Sequence, residues 1–241
     1  MNTKLKIGVF AYNFPHWKTQ TGLFNLCFNG YKPDVVLAAD GVKLNFPQSK
    51  IRTTTSGLYL QETKDLCKFY DIPFYNVVHN SEEAVDIVKN YELDLGIILG
   101  ARILKQNIID PFKIGIINMH PGVLPANRGL DNVKWSVVKR LPIGVTVHFI
   151  NSKIDMGCKI IGGEIKVKQD DEFLDFCTRN QNLEQKLLID ALDQIYREYP
   201  NIKTTELTSG VYHKALPPEL ETNLYDEVLR YKCLWQHSQI I

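Results

Sequence analysis

The residues best suited to chemistry lie together in the stretch IINMHPGVLPANRGLD, positions 116–131. An apolar run enters it, Asn118 and His120 stand two apart, and Pro121, Gly122, Pro125 and Gly129 follow. On a strand, residues two apart point to the same side, so the amide and the imidazole should face one pocket. Pro121 keeps His120 near extended geometry. Pro125 and the glycines shape a stiff loop whose backbone can come close to a ligand. An amide N–H can stabilise a developing oxyanion, and an imidazole can move a proton. A carboxylate completes the set. Asp155 sits in VTVHFINSKIDMGCKI, 35 positions after His120, in a turn between two apolar runs. Beside an imidazole it favours the protonated ring and can share in proton relay. The three suit acyl transfer directly to an incoming amine, with no Ser or Cys nucleophile.

The elements that must hold these groups read as an α/β domain. KIGVFAY, DVVLAAD and LDLGIIL are near-continuous apolar runs, as in strands of a parallel sheet covered on both faces. Helical stretches lie between them. TKDLCKFYD places Leu66, Phe69 and Tyr70 on one face, and NSEEAVDIVKNYE opens with Asn80 and carries Glu83 three later, the pattern of a capping box. GIINMH is the next strand, NVKWSVVKR a helix, and IGVTVHFI and CKIIGGEIKV are neighbouring strands joined by NSKIDMG. A long amphipathic helix follows from about Asp171 and stops at Pro200. The expected architecture is a Rossmann-like, mostly parallel sheet flanked by helices, with a short C-terminal appendage. Residues 1–203 form the catalytic domain. Residues 204–241 are too few for a core of their own, so they pack on the main domain or on a second copy. Their many apolar residues favour a homodimer.

Composition narrows the classes. The chain has 241 residues, 28 Lys+Arg and 27 Asp+Glu, which gives no basic field for a nucleic-acid footprint. Five scattered cysteines without a C-x-x-C read as reduced thiols, mostly small core residues. The N-terminus reads as a first strand rather than a signal peptide, and nothing approaches a membrane span, so the expected place is the cytoplasm.

NMHPGVLPANRG followed by GVTVHFINSKIDMGCKI resembles the folate-dependent formyltransferases, over roughly residues 5–200. The resemblance implies catalysis by Asn118, His120 and Asp155 and N10-formyltetrahydrofolate as formyl donor. It implies that the backbone of Ala101, Arg102, Ile103 and Leu104 binds the pterin, and that Ile150, Asn151 and Ile154 belong to the opposite wall. FAYNFPHW lacks the Gly/Ser-rich phosphate cradle of the member that formylates glycinamide ribonucleotide. No basic barrel follows, as it does in the enzyme acting on initiator methionyl-tRNA. The nearest branch is the sugar N-formyltransferases, whose acceptors are nucleotide-linked amino sugars. A 4-amino-4,6-dideoxyhexose, and a role in O-antigen assembly, are the expectations that go with that branch. Glycinamide ribonucleotide formylation and a non-catalytic folate or nucleotide sensor are the alternatives. The intact Asn/His/Asp set speaks against the sensor.

Further residues are weighed singly. Tyr12, Trp17, Arg128 and His148 are candidates for acceptor binding, Arg128 because a guanidinium suits a pyrophosphate. Phe14 reads as core. His16, His79, His213 and His237 show no ligand spacing and read as surface residues, so no metal site is expected. Gly8 and Gly41 do not form a dinucleotide fingerprint.

Overall fold

A computed structural model describes residues 4–42 and 49–237, with side chains as far as Trp235. The chain starts with β1 (Ile7–Tyr12), α1 (Trp17–Phe28) and β2 (Val35–Ala39). It continues through α2 (Thr63–Phe69), β3 (Phe74–Asn76), α3 (Glu82–Tyr91), β4 (Leu95–Ile98) and α4 (Gln106–Ile109). Then come β5 (Gly115–His120), β6 (Arg128–Gly129), α5 (Asn132–Lys139), β7 (Gly144–Phe149), β8 (Cys158–Glu164) and α6 (Phe173–Glu198). The last elements are β9 (Thr205–Glu206), β10 (Tyr212–His213), α7 (Pro218–Glu221) and α8 (Leu224–His237).

Eight strands form one sheet in the order β3-β2-β1-β4-β5-β7-β8-β9. Pairing is parallel from β3 to β5 and antiparallel from β5 to β9. The expected mostly parallel α/β sheet is therefore observed, with an antiparallel extension at one side. The chain runs outward from β1 to β3, then returns to β4 on the other side of β1. That reversal leaves a crevice at the carboxyl ends of β1 and β4, where open α/β sheets bind ligands.

Alternation along each strand divides the core. Ile7, Val9, Ala11, Ile117 and Met119 pack with Leu23 and Leu26 of α1 and Leu188, Ala191, Leu192 and Ile195 of α6. Phe10, Leu37 and Ile116 pack on the other face with Ala84 and Val88 of α3 and Ile108 of α4. Asn118 and His120 share the parity of Ile116, so they leave the sheet on the α3–α4 face. Each fully buried Leu or Ile contributes about 1.5–3 kcal/mol, which makes the sheet a rigid mount for the strand ends.

The tail packs on its own domain. Leu224, Val228 and Tyr231 are buried with Val137, Ile143, Phe173 and Phe176, and Leu216 is buried too. Val211, Tyr212, Leu220, Tyr225, Leu229 and Leu234 remain exposed. Part of the apolar surface that suggested a second copy is thus used within the chain.

Several local expectations change. The cap of α3 is Ser81, whose Oγ accepts from Ala84 N at 3.2 Å. Asn80 instead ties down the segment after β4, donating to Ile103 O and accepting from Lys105 N. On α2 Thr63 and Cys67 are buried and Leu66 and Tyr70 pack against the core as expected, but Phe69 is 80% exposed. Phe14 is half-buried and stacks on Tyr12 rather than entering the core. His79 and His213 are buried, not superficial: the His79 ring bonds Leu37 O and meets Phe10 edge-on, and His213 stacks on Trp135. The His237 side chain lies outside the described residues. Cys67 and Cys177 are buried, Cys27 and Cys158 are half-buried and Cys233 is exposed, all as free thiols.

Candidate active site

A cavity of about 690 Å³ opens at the switch point, within the range of small-molecule sites. Tyr12 and Ile98 border it from the ends of β1 and β4, and Ala101, Arg102, Ile103 and Leu104 form one wall. The stretch from Ile150 to Asp155 forms the opposite wall. Asn118 and His148 lie between the walls. Every residue expected at the donor site therefore lines this one cavity.

His120 and Asp155 meet, and Asn118 lines the same cavity as Asp155. His120 is 2% exposed and sits behind the cavity lining, with Nδ1 3.2 Å from Asp155 Oδ1. Its Nε2 is 2.8 Å from Asn127 O and 3.2 Å from Asn132 Nδ2. A carbonyl only accepts, so Nε2 carries a hydrogen. The expectation that His120 would face the pocket beside Asn118 is corrected here. The loop after Pro121 folds back over the ring and supplies Asn127 O as its partner.

Asp155 sits in the β7–β8 turn at φ +49°, a conformation that Asp tolerates better than most residues. Its Oδ2 accepts from Gly129 N at 2.7 Å. Burial pushes this carboxyl up, but the His120 ring and the Gly129 N–H outweigh it and leave Asp155 below its ordinary range.

His148 is fully buried, and its Nδ1 lies 3.0 Å from Met156 O. Nδ1 therefore carries the hydrogen, and Nε2 is free to accept from Asn118 Nδ2 at 3.5 Å. His148 so aims the Asn118 amide. Burial, reinforced by neighbouring His120, pushes His148 down to about 4, which keeps the acceptor form at neutral pH. The linkage sign follows. Between pH 6.5 and 4 the unfolded chain binds a proton at this position and the folded chain does not, so stability falls as pH falls. At pH 5 this amounts to about 2 kcal/mol. His148→Leu has nothing to protonate there. Its urea midpoint should fall less than that of the wild type between pH 7 and pH 5, and equal losses would refute the assignment.

The stiffness expected of the loop has named causes. Thr146 Oγ1 donates to Gly122 O at 2.9 Å and accepts from Leu124 N at 3.0 Å. Asn127 Nδ2 donates to Asn132 O and Ser136 Oγ, and Asn132 Nδ2 donates back to Asn127. Asn127, Asn132 and Thr146 were not singled out in the sequence.

The acceptor-side candidates divide. Tyr12 lines the cavity and donates to Ala101 O at 3.1 Å. Arg128 does not: its guanidinium donates to Ile154 O at 2.5 Å in the β7–β8 turn and to Gly210 O at 3.3 Å before β10, binding these segments together instead of awaiting a pyrophosphate. Trp17 is half-buried at the start of α1 and is not part of the lining. Unexpected lining residues come from the tail. β10 pairs in parallel with β6, placing Tyr212, Lys214 and Ala215 on the cavity beside Gly129 and Leu130. Gly129 has φ +98°, and a Cβ there would meet His213 O at 2.0 Å, so this close approach requires glycine.

Fold and site together define an α/β protein with an Asn–His–Asp group beside a switch-point cavity. The chain belongs to the formyl transferase family, whose pattern matches residues 46–192, more than half of its length. It is 30% identical over 119 residues to a methionyl-tRNA formyltransferase of Flavobacterium johnsoniae, a match covering 49% of this chain and 37% of that one. The chain thus spans well under half the length of such relatives. In fold it is similar to a sugar N-formyltransferase from a Shewanella species, at TM-score 0.65 and 19% identity, covering 95% of this chain and 88% of that one. It is also similar to glycinamide ribonucleotide transformylase 1 from Symbiobacterium toebii, at TM-score 0.62 and 16% identity, covering 86% and 96%. No helix among the described residues is long and apolar enough to cross a membrane.

Proposed function

We propose that the protein transfers a formyl group from N10-formyltetrahydrofolate to the amine of a nucleotide-linked amino sugar, a 4-amino-4,6-dideoxyhexose. The observation that carries the reaction is the placement of Asn118 and Asp155 on one cavity, with His120 behind the carboxylate. The donor is a substrate, and the cavity suits it. Largely apolar walls with main-chain groups at residues 101–104 accept a flat heterocycle, and Arg102, Lys153 and Lys214 are cations for its carboxylates.

Each residue has one task. Asn118 Nδ2 donates to the formyl oxygen as it gains charge when the neutral amine attacks. Asp155 takes the proton that the amine must lose, and the His120 ring, hydrogen-bonded to it, stabilises the changing charge and shares the proton. The same pair returns a proton to the departing donor nitrogen. No covalent enzyme intermediate is needed, because the amine attacks the formyl carbon directly.

The sugar acceptor is favoured over glycinamide ribonucleotide by the segment after β1. In place of a Gly/Ser-rich turn, it stacks Tyr12 on Phe14 at 5.0 Å and sets His16 edge-on to Tyr12 at 5.1 Å. Burial pushes His16 down to about 4, so this segment carries no imidazolium for a phosphate at neutral pH. An acceptor screen with N10-formyltetrahydrofolate, read by the mass of one added formyl group, decides between them. Nucleotide-linked amino sugars should react, and reaction of glycinamide ribonucleotide alone would reverse the choice.

Donor binding has its own measurement. At a hundredfold excess over Kd, the stable mimic 5-formyltetrahydrofolate should stabilise the fold by about 2.7 kcal/mol. No thermal shift at millimolar mimic would refute a folate site.

A further inference from the structure

The carbonyls of Met119 and Pro121 flank His120, and each is held by a side chain from a different helix, one partly buried and one fully buried. Lys18, in the first turn of α1, places Nζ 2.9 Å from Met119 O. Asn180 of α6 is 1% exposed and donates Nδ2 to Pro121 O at 3.3 Å, while its own Oδ1 is left without a partner. Glu184, one turn further along α6, pairs with the Lys18 ammonium at 2.5 Å, with its side chain only 7% exposed.

The cost of this arrangement is the reason to look for its use. An ion pair like this one, with Glu184 buried and Lys18 partly exposed, adds little net stability. An amide buried with its oxygen unpartnered is unfavourable as well. Folding alone therefore gives no reason for these groups. Their shared property is their targets, the peptide carbonyls immediately before and after His120. The parallel ladder with β4 ends at the Ile98–Asn118 pair, one residue short of Met119. Beyond that pair, the Lys18 contact takes over the fixing of this backbone from the β4 side.

We propose that Lys18 and Asn180 are positioning residues for His120, with Glu184 holding the Lys18 ammonium in place. The clamp acts through the backbone: it fixes the Met119–His120 peptide on one side and the Pro121–Gly122 peptide on the other, and hence the direction of the ring toward Asp155. This rests on the reading of His120 as part of the proton relay. A displacement of an ångström in such a group costs catalysis heavily while leaving the distant donor walls unaltered.

The test uses the full chain with Lys18→Met, Asn180→Leu and the conservative Lys18→Arg. With the acceptor found by screening, Lys18→Met and Asn180→Leu should each lower kcat by roughly tenfold or more, with donor KM unchanged within about twofold. Lys18→Arg should restore most of the rate, because a guanidinium can serve the same carbonyl and carboxylate. An independent readout is the ring-nitrogen NMR signals of 15N-histidine-labelled protein, with His120→Ala giving the assignment. The His120 signals should move in both disrupting variants, and those of distant His79 should not. If Lys18→Met does not fold, Asn180→Leu carries the same test. Unmoved His120 signals in folded variants, or a rate loss matching the unfolded fraction alone, would overturn the clamp. If the wild type transfers no formyl group, the proposed reaction fails, and the ring-nitrogen signals still decide the clamp.

Discussion

Replacing Asn118, His120 or Asp155 is expected to lower kcat by on the order of 10²-fold or more in each case. The three losses should differ in kind. Asn118→Ala removes an oxyanion donor at the cavity surface, so donor affinity should persist while turnover falls. Asp155→Asn removes the charge and keeps the shape and the tolerance for φ +49°. Its side-chain oxygen can still accept from Gly129 N, so the turn should hold while proton transfer fails. His120→Ala adds a structural penalty, because the buried ring leaves a cavity and Asp155 loses its ring partner, while Asn127 O keeps Asn132 Nδ2 as a donor. About 1–3 kcal/mol of stability should go with it. Single-turnover rates on folded protein separate the two effects. Near-normal turnover in Asp155→Asn would remove the carboxylate from the mechanism.

The largest effect on stability is expected at Tyr231. Its side chain is fully buried in α8, its ring meets Phe176 at 5.8 Å, and its hydroxyl donates to Leu141 O at 2.7 Å. Truncation to alanine opens a ring-sized hole and orphans a carbonyl. Large-to-small changes of this kind cost about 3–5 kcal/mol. Tyr231→Phe loses the hydrogen bond alone and should cost nearer 1 kcal/mol. Urea unfolding at pH 7 measures both. Deleting residues 204–241 goes further, since it uncovers Val137, Ile143, Phe173 and Phe176 and removes Tyr212, Lys214 and Ala215 from the cavity. The shortened chain should be insoluble or unable to bind the folate mimic. A soluble product with unchanged affinity would show that the tail is dispensable.

What was legible in the sequence is what local pattern encodes. The apolar runs entering Tyr12, Ile98 and Asn118 identified the strands whose ends border the cavity. Asn118, His120 and Asp155 stood out because proline, glycine and turn residues surround them. Both cavity walls lie within a few residues of a strand end, so they moved with the strands. Features set by distant partners were not legible. Arg128 looked like a free loop cation, and only the folded chain brings Gly210 and Ile154 to it. His213 looked superficial because nothing near it in sequence shows that Trp135 will stack on it. The cap of α3 was misplaced by one residue because Asn80 and Ser81 are both competent, and the contacts of Asn80 with Ile103 and Lys105 decide between them. α1 went unremarked because its buried residues, Thr19, Gly22, Leu23 and Leu26, include a hydroxyl and a glycine and make a weak apolar stripe.

The pairing of β6 with β10 joins residues more than eighty positions apart. Closing so long a loop is entropically costly, as it is for the β1–β4 pairing, which also spans more than eighty positions. The ribosome delivers Tyr212 and Lys214 only after both catalytic segments have emerged. A nascent chain can therefore complete its sheet and seat His120 against Asp155 while one side of the cavity is still missing. Capture of the proposed donor would then wait for Tyr212 and Lys214 to emerge, and a chain stopped before them would hold it poorly.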